Sequence, residues 1–367
     1  MKKITLTYIG KRGAGNNYSL EMTKELLKQN CEVQCVLSKY IGNINDWKYL
    51  SKEFPTLQLL FIETYTSKIG FIYSLTSGYI KYAKVRKEIK RFNPDILYIP
   101  MLSLLNFYLL PTSIPVITTI HDVEQHLGEK SRLVKFLYNK TIKKSSKIIV
   151  LSQKFVNEVH QKYNIEKKNI SLIPHACFKS YLPANYTPDF QSIHKRILFF
   201  GRIYPYKGLE VLLQALVYIR RNIPDIQLRI AGNGDISNKE KHLIAQLKDN
   251  IDLHIEWIKD KDIEKIIKDV DMVILPYIEA SQSGVIPLSY SFGKMVIATD
   301  VGGLSEQIYD NTGFLIRPND INELVNLITS LYKTPNIIIE KNKNAFYVAH
   351  NILTWEHSAS TLLSVIK

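Results

Sequence analysis

The chain has 367 residues, 46% of them hydrophobic and 22% charged, with a formal net charge of +14. That composition is ordinary for a globular protein and supports one to three packed domains. No apolar run approaches the roughly 18 residues that cross a bilayer, so a membrane-spanning helix is not expected.

The basic start Met1-Lys2-Lys3 leads into an apolar run that stops at Gly10-Lys11-Arg12. It is too short for a secretory signal, and a cytosolic chain is expected. Cys31, Cys35 and Cys177 are too few and too odd in number for a disulfide framework, and no nearby His or Cys completes a metal site. The basic balance suits nucleic acid, an anionic membrane or a phosphorylated ligand. No helix-turn-helix, zinc-finger or aromatic RNA-binding pattern is present, which removes nucleic acid as a partner.

Taken in chain order, residues 4–9 read as a first strand. The glycine loop Gly10-Lys11-Arg12-Gly13-Ala14-Gly15 and a helix follow. The spacing is not the dinucleotide fingerprint. Further strands are expected at 31–37, 58–62, 96–99, 116–120, 147–151 and 170–173. Residues 69–91 read as one amphipathic helix, with Ile72, Leu75, Tyr79, Tyr82, Val85 and Ile89 on one face and Lys81, Lys84, Lys87 and Arg91 opposite. A solvated face and an anionic membrane surface are both open readings of that charge. Residues 130–147 form a second basic stretch. The strand at 116–120 ends on His121-Asp122, and ligands of open α/β sheets bind at the carboxyl ends of strands, so His121 is a candidate functional residue.

Residues 181–191, YLPANYTPDFQ, are Pro-rich and unpatterned and read as an interdomain linker. The alternation then restarts, with strands at 196–200, 227–231, 253–255, 272–275, 296–299 and 313–316. The last helix is expected at 345–366. Strands alternating with helices in both halves predict an α/β fold of two doubly wound parallel sheets, with domains at 1–180 and 192–344 and the closing segment 345–367 packed back on the first.

The stretch FFGRIYPYKGLEVLLQAL carries the clearest chemistry. A strand ends at Gly201, a loop carries Arg202 and Lys207, and a helix starts after Gly208. Free N–H groups at the helix start, beside two fixed cations, make a site suited to a diphosphate. Downstream come Leu228-Arg229-Ile230-Ala231-Gly232-Asn233-Gly234, Asp271-Met272-Val273-Ile274-Leu275-Pro276, the run Gly293 through Glu306, and Asn311-Thr312-Gly313-Phe314-Leu315-Ile316.

These motifs, in this order, resemble the retaining glycosyltransferases of family 4, which have the GT-B architecture of two Rossmann-like domains facing across a cleft. The resemblance implies a nucleoside-diphosphate sugar donor on the second domain and a glycan or lipid-linked glycan acceptor on the first. It implies that Arg202 and Lys207 grip the donor diphosphate without a metal, and that His121 touches the transferred sugar. It implies that the loop around Gly13 and Gly15 approaches the donor phosphates and the acceptor. Asp269-Val270-Asp271 reads as a helix-to-strand junction rather than a metal motif.

The sequence departs from the family at one place. Two glutamates separated by seven residues are usual after the strand corresponding to 272–275, and in register those positions hold Ser281 and Ser289. Glu279 stands two residues before the first and is a candidate replacement. The backbone N–H groups of Ser283, Gly284 and Val285 are expected to bind phosphate or sugar hydroxyls whatever the side chains. The resulting expectation is a metal-independent hexosyltransferase in cell-surface polysaccharide synthesis, cytoplasmic or peripheral on the inner face of the membrane. The rival from another class is a catalytically silent GT-B scaffold that binds glycan or partner proteins. A two-lobed solute-binding protein and a nucleotide-sugar epimerase fit the cation pair and the sparse acid–base residues less well.

Overall fold

The computed structural model describes residues 1–11, 13–110, 113–123, 131–309 and 311–366. The two stretches of strand–helix alternation form two units. One comprises residues 1–174 together with the segment from Trp355 onward, and the other is His175–Thr354.

In the first unit the elements are β1 (Lys3–Tyr8), α1 (Ala14–Lys28), β2 (Glu32–Ser38), α2 (Ile44–Glu53), β3 (Gln58–Ile62), α3 (Lys68–Lys81), α4 (Ala83–Phe92), β4 (Ile96–Ile99), β5 (Val116–Ile120), α5 (Arg132–Ile142), β6 (Lys147–Val150), α6 (Lys154–Tyr163) and β7 (Ile170–Leu172). Seven parallel strands stand in the order β3-β2-β1-β4-β5-β6-β7. Strand order reverses between β1 and β4, which pair from Ile4 with Ile96. The second unit holds β8 (Arg196–Phe200), α7 (Leu209–Asn222), β9 (Gln227–Ala231), α8 (Asn238–Gln246), β10 (Ile251–His254), α9 (Ile263–Ile267), β11 (Met272–Leu275), α10 (Val285–Ser291), β12 (Met295–Thr299), α11 (Leu304–Gln307), β13 (Gly313–Ile316), α12 (Ile321–Lys333) and α13 (Pro335–Asn351). Its six strands run β10-β9-β8-β11-β12-β13, again all parallel, with the reversal between β8 and β11. β4, β11 and β12 are buried at every position, as expected of strands covered by helices on both faces. In such sheets the crevice at the carboxyl ends beside the reversal is where ligands bind.

The boundaries differ from those expected. The chain passes into the second unit at His175, and residues 181–191 lie within that unit along its surface rather than between the two. Tyr181, Leu182 and Tyr186 pack on its hydrophobic cluster, and the Tyr186 hydroxyl donates to the Phe292 carbonyl at 3.2 Å. The closing segment is two helices. α13 packs in the second unit, and α14 (Trp355–Val365) returns to the first. There Lys2 Nζ donates to the Leu363 carbonyl at 3.0 Å and Gln29 Nε2 to that of Glu356 at 3.0 Å. All three cysteines are free and buried.

The helix expected at 69–91 is also two. It breaks at Tyr82, whose ring is buried and whose hydroxyl donates to the Glu63 carbonyl at 3.1 Å. Tyr82 and Ile89 face the core, but Ile72 and Tyr79 are exposed. Lys81, expected on a solvated face, is half-buried and donates to the Thr64 carbonyl at 3.1 Å. The basic stretch 130–147 covers α5; Lys130, like Arg12 of the glycine loop, lies outside the described residues.

Candidate active site

In the second unit, two loops meet at the carboxyl ends of β8 and β11, the strands that flank the reversal. The first runs from Gly201 to Gly208. A 3-10 turn over Pro205–Lys207 lifts Lys207 to its rim, and Gly208 closes the turn with φ +69°. A Cβ on Gly208 would stand 1.9 Å from the Pro276 carbonyl oxygen. Only glycine allows both that backbone angle and that approach. The contact brings Lys207 against the second loop, and the Ile278 N–H donates to the Tyr206 carbonyl at 2.7 Å.

Lys207 Nζ donates to the Tyr277 hydroxyl at 2.6 Å and lies 4.2 Å from the centre of that ring. Gly201 is under Lys207: its Cβ position would be 3.7 Å from Nζ and 3.6 Å from Val285 Cγ2. The exposed Arg202 lies 5.1 Å over the Tyr204 ring, which stacks on Tyr206 at 5.8 Å. Tyr206 in turn meets Tyr277 edge-on at 6.4 Å. Three tyrosines thus bind the two cations into one scaffold. They were missed in the sequence, where the only signal was their placement inside the cationic loop and directly after Pro276.

The second loop, Tyr277–Gly284, is held from below. A Cβ on Gly302, where φ is +52°, would strike the Ala280 carbonyl oxygen at 1.6 Å, and the Gly303 N–H donates to the Ser281 carbonyl at 2.9 Å. Gln307 clamps Ser283 twice: its Oε1 accepts the Ser283 N–H at 2.8 Å and its Nε2 donates to the Ser283 carbonyl at 3.1 Å. The Val285 N–H reaches Ser283 Oγ at 3.3 Å. Of the three amides expected to bind a ligand, those of Ser283 and Val285 already have partners, the Gln307 side chain of α11 and the Ser283 hydroxyl. Gly284 is exposed, with open space where a Cβ would be.

The serines at the glutamate positions differ from each other. Ser289 is fully buried and its hydroxyl donates to the Val285 carbonyl one turn back, at 2.7 Å. A helical serine bonded in this way directs its hydroxyl proton to the preceding turn. Ser281 is buried as well, and its carbonyl is the acceptor for Gly303. Glu279 is half-buried on the same loop. Gln282, which drew no attention in the sequence, has both carboxamide heteroatoms buried without a hydrogen-bond partner.

The aspartate pair reads as a junction. Asp269 accepts from Arg229 Nη1 at 2.6 Å and pairs with Arg196. Asp271 accepts from the backbone N–H groups of His194 and Arg196 at 2.9 and 3.0 Å and from the Tyr332 hydroxyl at 2.9 Å. The arginine partners hold the Asp269 carboxyl below the usual range against the opposing effect of burial.

In the first unit, His121 stands at the carboxyl end of β5. Its Nε2 lies 2.9 Å from the carbonyl oxygen of Pro100, the residue after β4. A carbonyl only accepts, so Nε2 carries the proton and Nδ1 is the acceptor of the neutral ring. Burial pushes the imidazole below its ordinary pKa, opposed by the Pro100 carbonyl and Asp122. The ring meets Tyr18 of α1 edge-on at 4.9 Å, and Tyr18 meets Trp355 of α14 at 4.8 Å. Tyr98 and Thr119 complete the support, with their hydroxyls 2.9 Å apart. Gly13 begins α1 with φ +92° and open space at its Cβ position, consistent with backbone available to a ligand. Gly15 is different. Its Cβ position is filled by Met101 Sδ at 2.6 Å and the Tyr8 ring at 2.7 Å, so close packing calls for a glycine there.

Comparison with known proteins accounts for both units. Residues 15–177 match the family described as Glycosyltransferase Family 4, and residues 194–334 match that described as Glycosyl transferases group 1. A D-inositol 3-phosphate glycosyltransferase of Pseudarthrobacter chlorophenolicus is 29% identical over 196 residues, covering 49% of this chain and 46% of that relative. The chain thus spans about half the length of that curated relative. A glycosyltransferase of Rickettsia africae superposes with a TM-score of 0.73 at 24% identity, over 100% of this chain and 98% of that one. The Anabaena protein HepE, solved in complex with UDP, superposes with a TM-score of 0.71 at 17% identity, covering 100% and 99%. With both sheets, both reversals and both family matches in place, the chain belongs to the GT-B glycosyltransferases of family 4.

Proposed function

We propose that the protein transfers a sugar from a nucleoside-diphosphate donor to a glycan or lipid-linked glycan acceptor, with retention of anomeric configuration, in the synthesis of cell-surface polysaccharide. The observation that carries this reading is Lys207, held by Tyr277 at 2.6 Å beside Gly201 at the sheet reversal, with Arg202 on the same loop. Breaking the bond between the sugar and the diphosphate places negative charge on the leaving nucleotide. Two cations fixed on an aromatic scaffold stabilise that charge without reorganising, which is how a preorganised site lowers a barrier. In this reading no metal takes part. The Gly284 N–H, at the start of α10, adds a donor to the phosphate side.

The His121 imidazole at the carboxyl end of β5 acts on the transferred sugar by positioning rather than as a base. HepE, solved with UDP, supports a nucleotide-sugar donor. The neutral Ser281 and the orphan carboxamide of Gln282 take the place of charged groups beside the donor sugar.

The test is a binding and hydrolysis screen of the full chain with UDP-, GDP- and ADP-sugars in the presence of EDTA. Release of one nucleotide, lost in Lys207→Ala and Arg202→Ala, is the expected result. Turnover that disappears with EDTA would remove the metal-free mechanism. Absence of binding to every donor would favour a silent scaffold.

A further inference from the structure

Two points fix the His121 ring along one line. The chain carries it at Cγ, and Nε2 donates to the Pro100 carbonyl at 2.9 Å. A turn about the line joining those points re-aims the ring edge that bears Nδ1, and neighbouring groups have to fix it. Tyr18 stands against the imidazole, with centroids 4.9 Å apart and planes at 76°. An aromatic ring in this edge geometry blocks the turn and favours one orientation.

Tyr18 is itself held from several elements. It falls on the buried stripe of α1 with Met22 and Leu26, at helical spacing, and is 1% exposed. Its hydroxyl bonds with those of Tyr98 and Thr119, which are fully buried and stand 2.9 Å from each other. Three buried hydroxyls thus satisfy one another. Tyr98 lies on β4 and Thr119 on β5, the strands that lead into Pro100 and His121. The same two strands therefore hold His121 and the hydroxyl end of Tyr18.

The Tyr18 ring also meets the Trp355 indole, with centroids 4.8 Å apart and planes at 86°. Trp355 is buried and is the first residue of the segment that completes the first unit, Thr354 being the last of the second. Behind it α14 is tied along its length. Gln29 Nε2 donates to the Glu356 carbonyl at 3.0 Å, and Gln29 Oε1 accepts from Ser360 Oγ at 3.1 Å. Lys2 meets the Leu363 carbonyl at 3.0 Å and Lys147 that of Val365, so cations stand at the negative end of the helix. The indole has a fixed place, and one tyrosine ring separates it from the imidazole.

We propose that Trp355 and Tyr18 are positioning residues for His121: ring against ring, from α14 through α1, they hold the imidazole in a single orientation. Neither ring touches substrate in this account. The effect on turnover rests on the reading of His121 as a sugar-side group, whereas the orientation rests on the geometry alone.

The test is NMR of the full chain labelled with 13C-histidine, the His121 cross-peak being assigned by its loss in His121→Ala. One sharp Cδ2–H cross-peak is expected for the wild type and for Trp355→Phe, which keeps an aromatic ring beside Tyr18. Trp355→Leu and Tyr18→Leu should broaden or double that peak; lost packing by itself would only shift it. In parallel, UDP-glucose hydrolysis by Trp355→Leu should lose about tenfold in kcat with KM within about twofold, and Trp355→Phe should recover most of the loss. A single sharp peak in both leucine variants overturns the proposal. So does a wild-type peak that is already doubled, a result that needs no variant to fold. A low kcat in His121→Ala beside a normal one in Trp355→Leu overturns the positioning role. A normal kcat in His121→Ala removes the sugar-side reading instead, while the cross-peak still decides the orientation.

Discussion

Replacing Gln307 by leucine is the sharpest probe of the donor loop. The side chain is 8% exposed and makes two bonds to the Ser283 backbone, at 2.8 and 3.1 Å. Leucine keeps the volume and removes both. The Ser283 carbonyl still accepts from the Ile286 N–H at 3.3 Å, so the group left stranded is the N–H. Two hydrogen bonds at about 1 kcal/mol each, plus about 1–3 kcal/mol for a buried unpaired amide, give a loss of roughly 3–5 kcal/mol. Burying the leucine returns about 1 kcal/mol of that, leaving a net cost of about 2–4 kcal/mol. Urea unfolding of the second unit, followed by the change in midpoint at constant slope, measures it. Nucleotide affinity, read by calorimetry, should fall about tenfold as the loop loses its support. Gln307→Glu sharpens the reasoning. Its ionised carboxylate accepts the N–H but repels the Ser283 carbonyl, whereas its protonated form restores a donor. The folded state thus raises that carboxyl's pKa, so the stability it contributes is present at low pH and lost as pH climbs through the raised value. A Gln307→Leu protein within about 0.5 kcal/mol of wild type, with nucleotide affinity intact, would refute the clamp.

Three further outcomes follow from the same geometry. Lys294 is buried, and burial lowers its pKa to about 8 despite Asp271, Asp269 and Asp189 nearby, so its charged form opposes folding. Its stability contribution should therefore rise as pH climbs from about 8 towards the unfolded value of about 10.5, by roughly 3 kcal/mol in full, and Lys294→Met should flatten that rise in pH-dependent melts. Gln282→Leu should stabilise the protein by about 1–3 kcal/mol, by removing two unpaired buried polar atoms, while weakening donor binding; destabilisation would show that the carboxamide has partners. Gly208→Ala combines a left-handed backbone with a Cβ 1.9 Å from the Pro276 oxygen, and should cost about 3 kcal/mol or more and abolish nucleotide binding through Lys207; a neutral effect in thermal melts would contradict the contact between the two loops.

The parallel α/β architecture was legible in the amino-acid order because strands covered on both faces are continuous apolar runs. Residues 272–275 and 296–299 read as strands for that reason, and the strands Met272–Leu275 and Met295–Thr299 are buried throughout. The cationic loop was legible too, since Gly201, Arg202, Lys207 and Gly208 follow one another at a strand-to-helix turn, and spacing along the chain carries that information.

Tertiary packing decided the rest. The Pro-rich segment 181–191 has no periodicity, so nothing local distinguished a linker from a strap; Tyr181, Leu182 and Tyr186 found a core to cover. Helix α3 carries apolar residues on more than one face, and a helical period cannot say which face is buried. Gly78 beneath Tyr108 selected the Phe71–Leu75 side and left Ile72 and Ile80 outside. Ser281, Ser283 and Ser289 looked alike as polar candidates. Their roles separated only when Val285 took the hydroxyl of Ser289 and Gln307, 24 residues on from Ser283, took that residue's amide. A chain order specifies which groups are polar and which are apolar. Which polar group remains available to a ligand depends on partners brought close by folding, and those partners are distant in sequence.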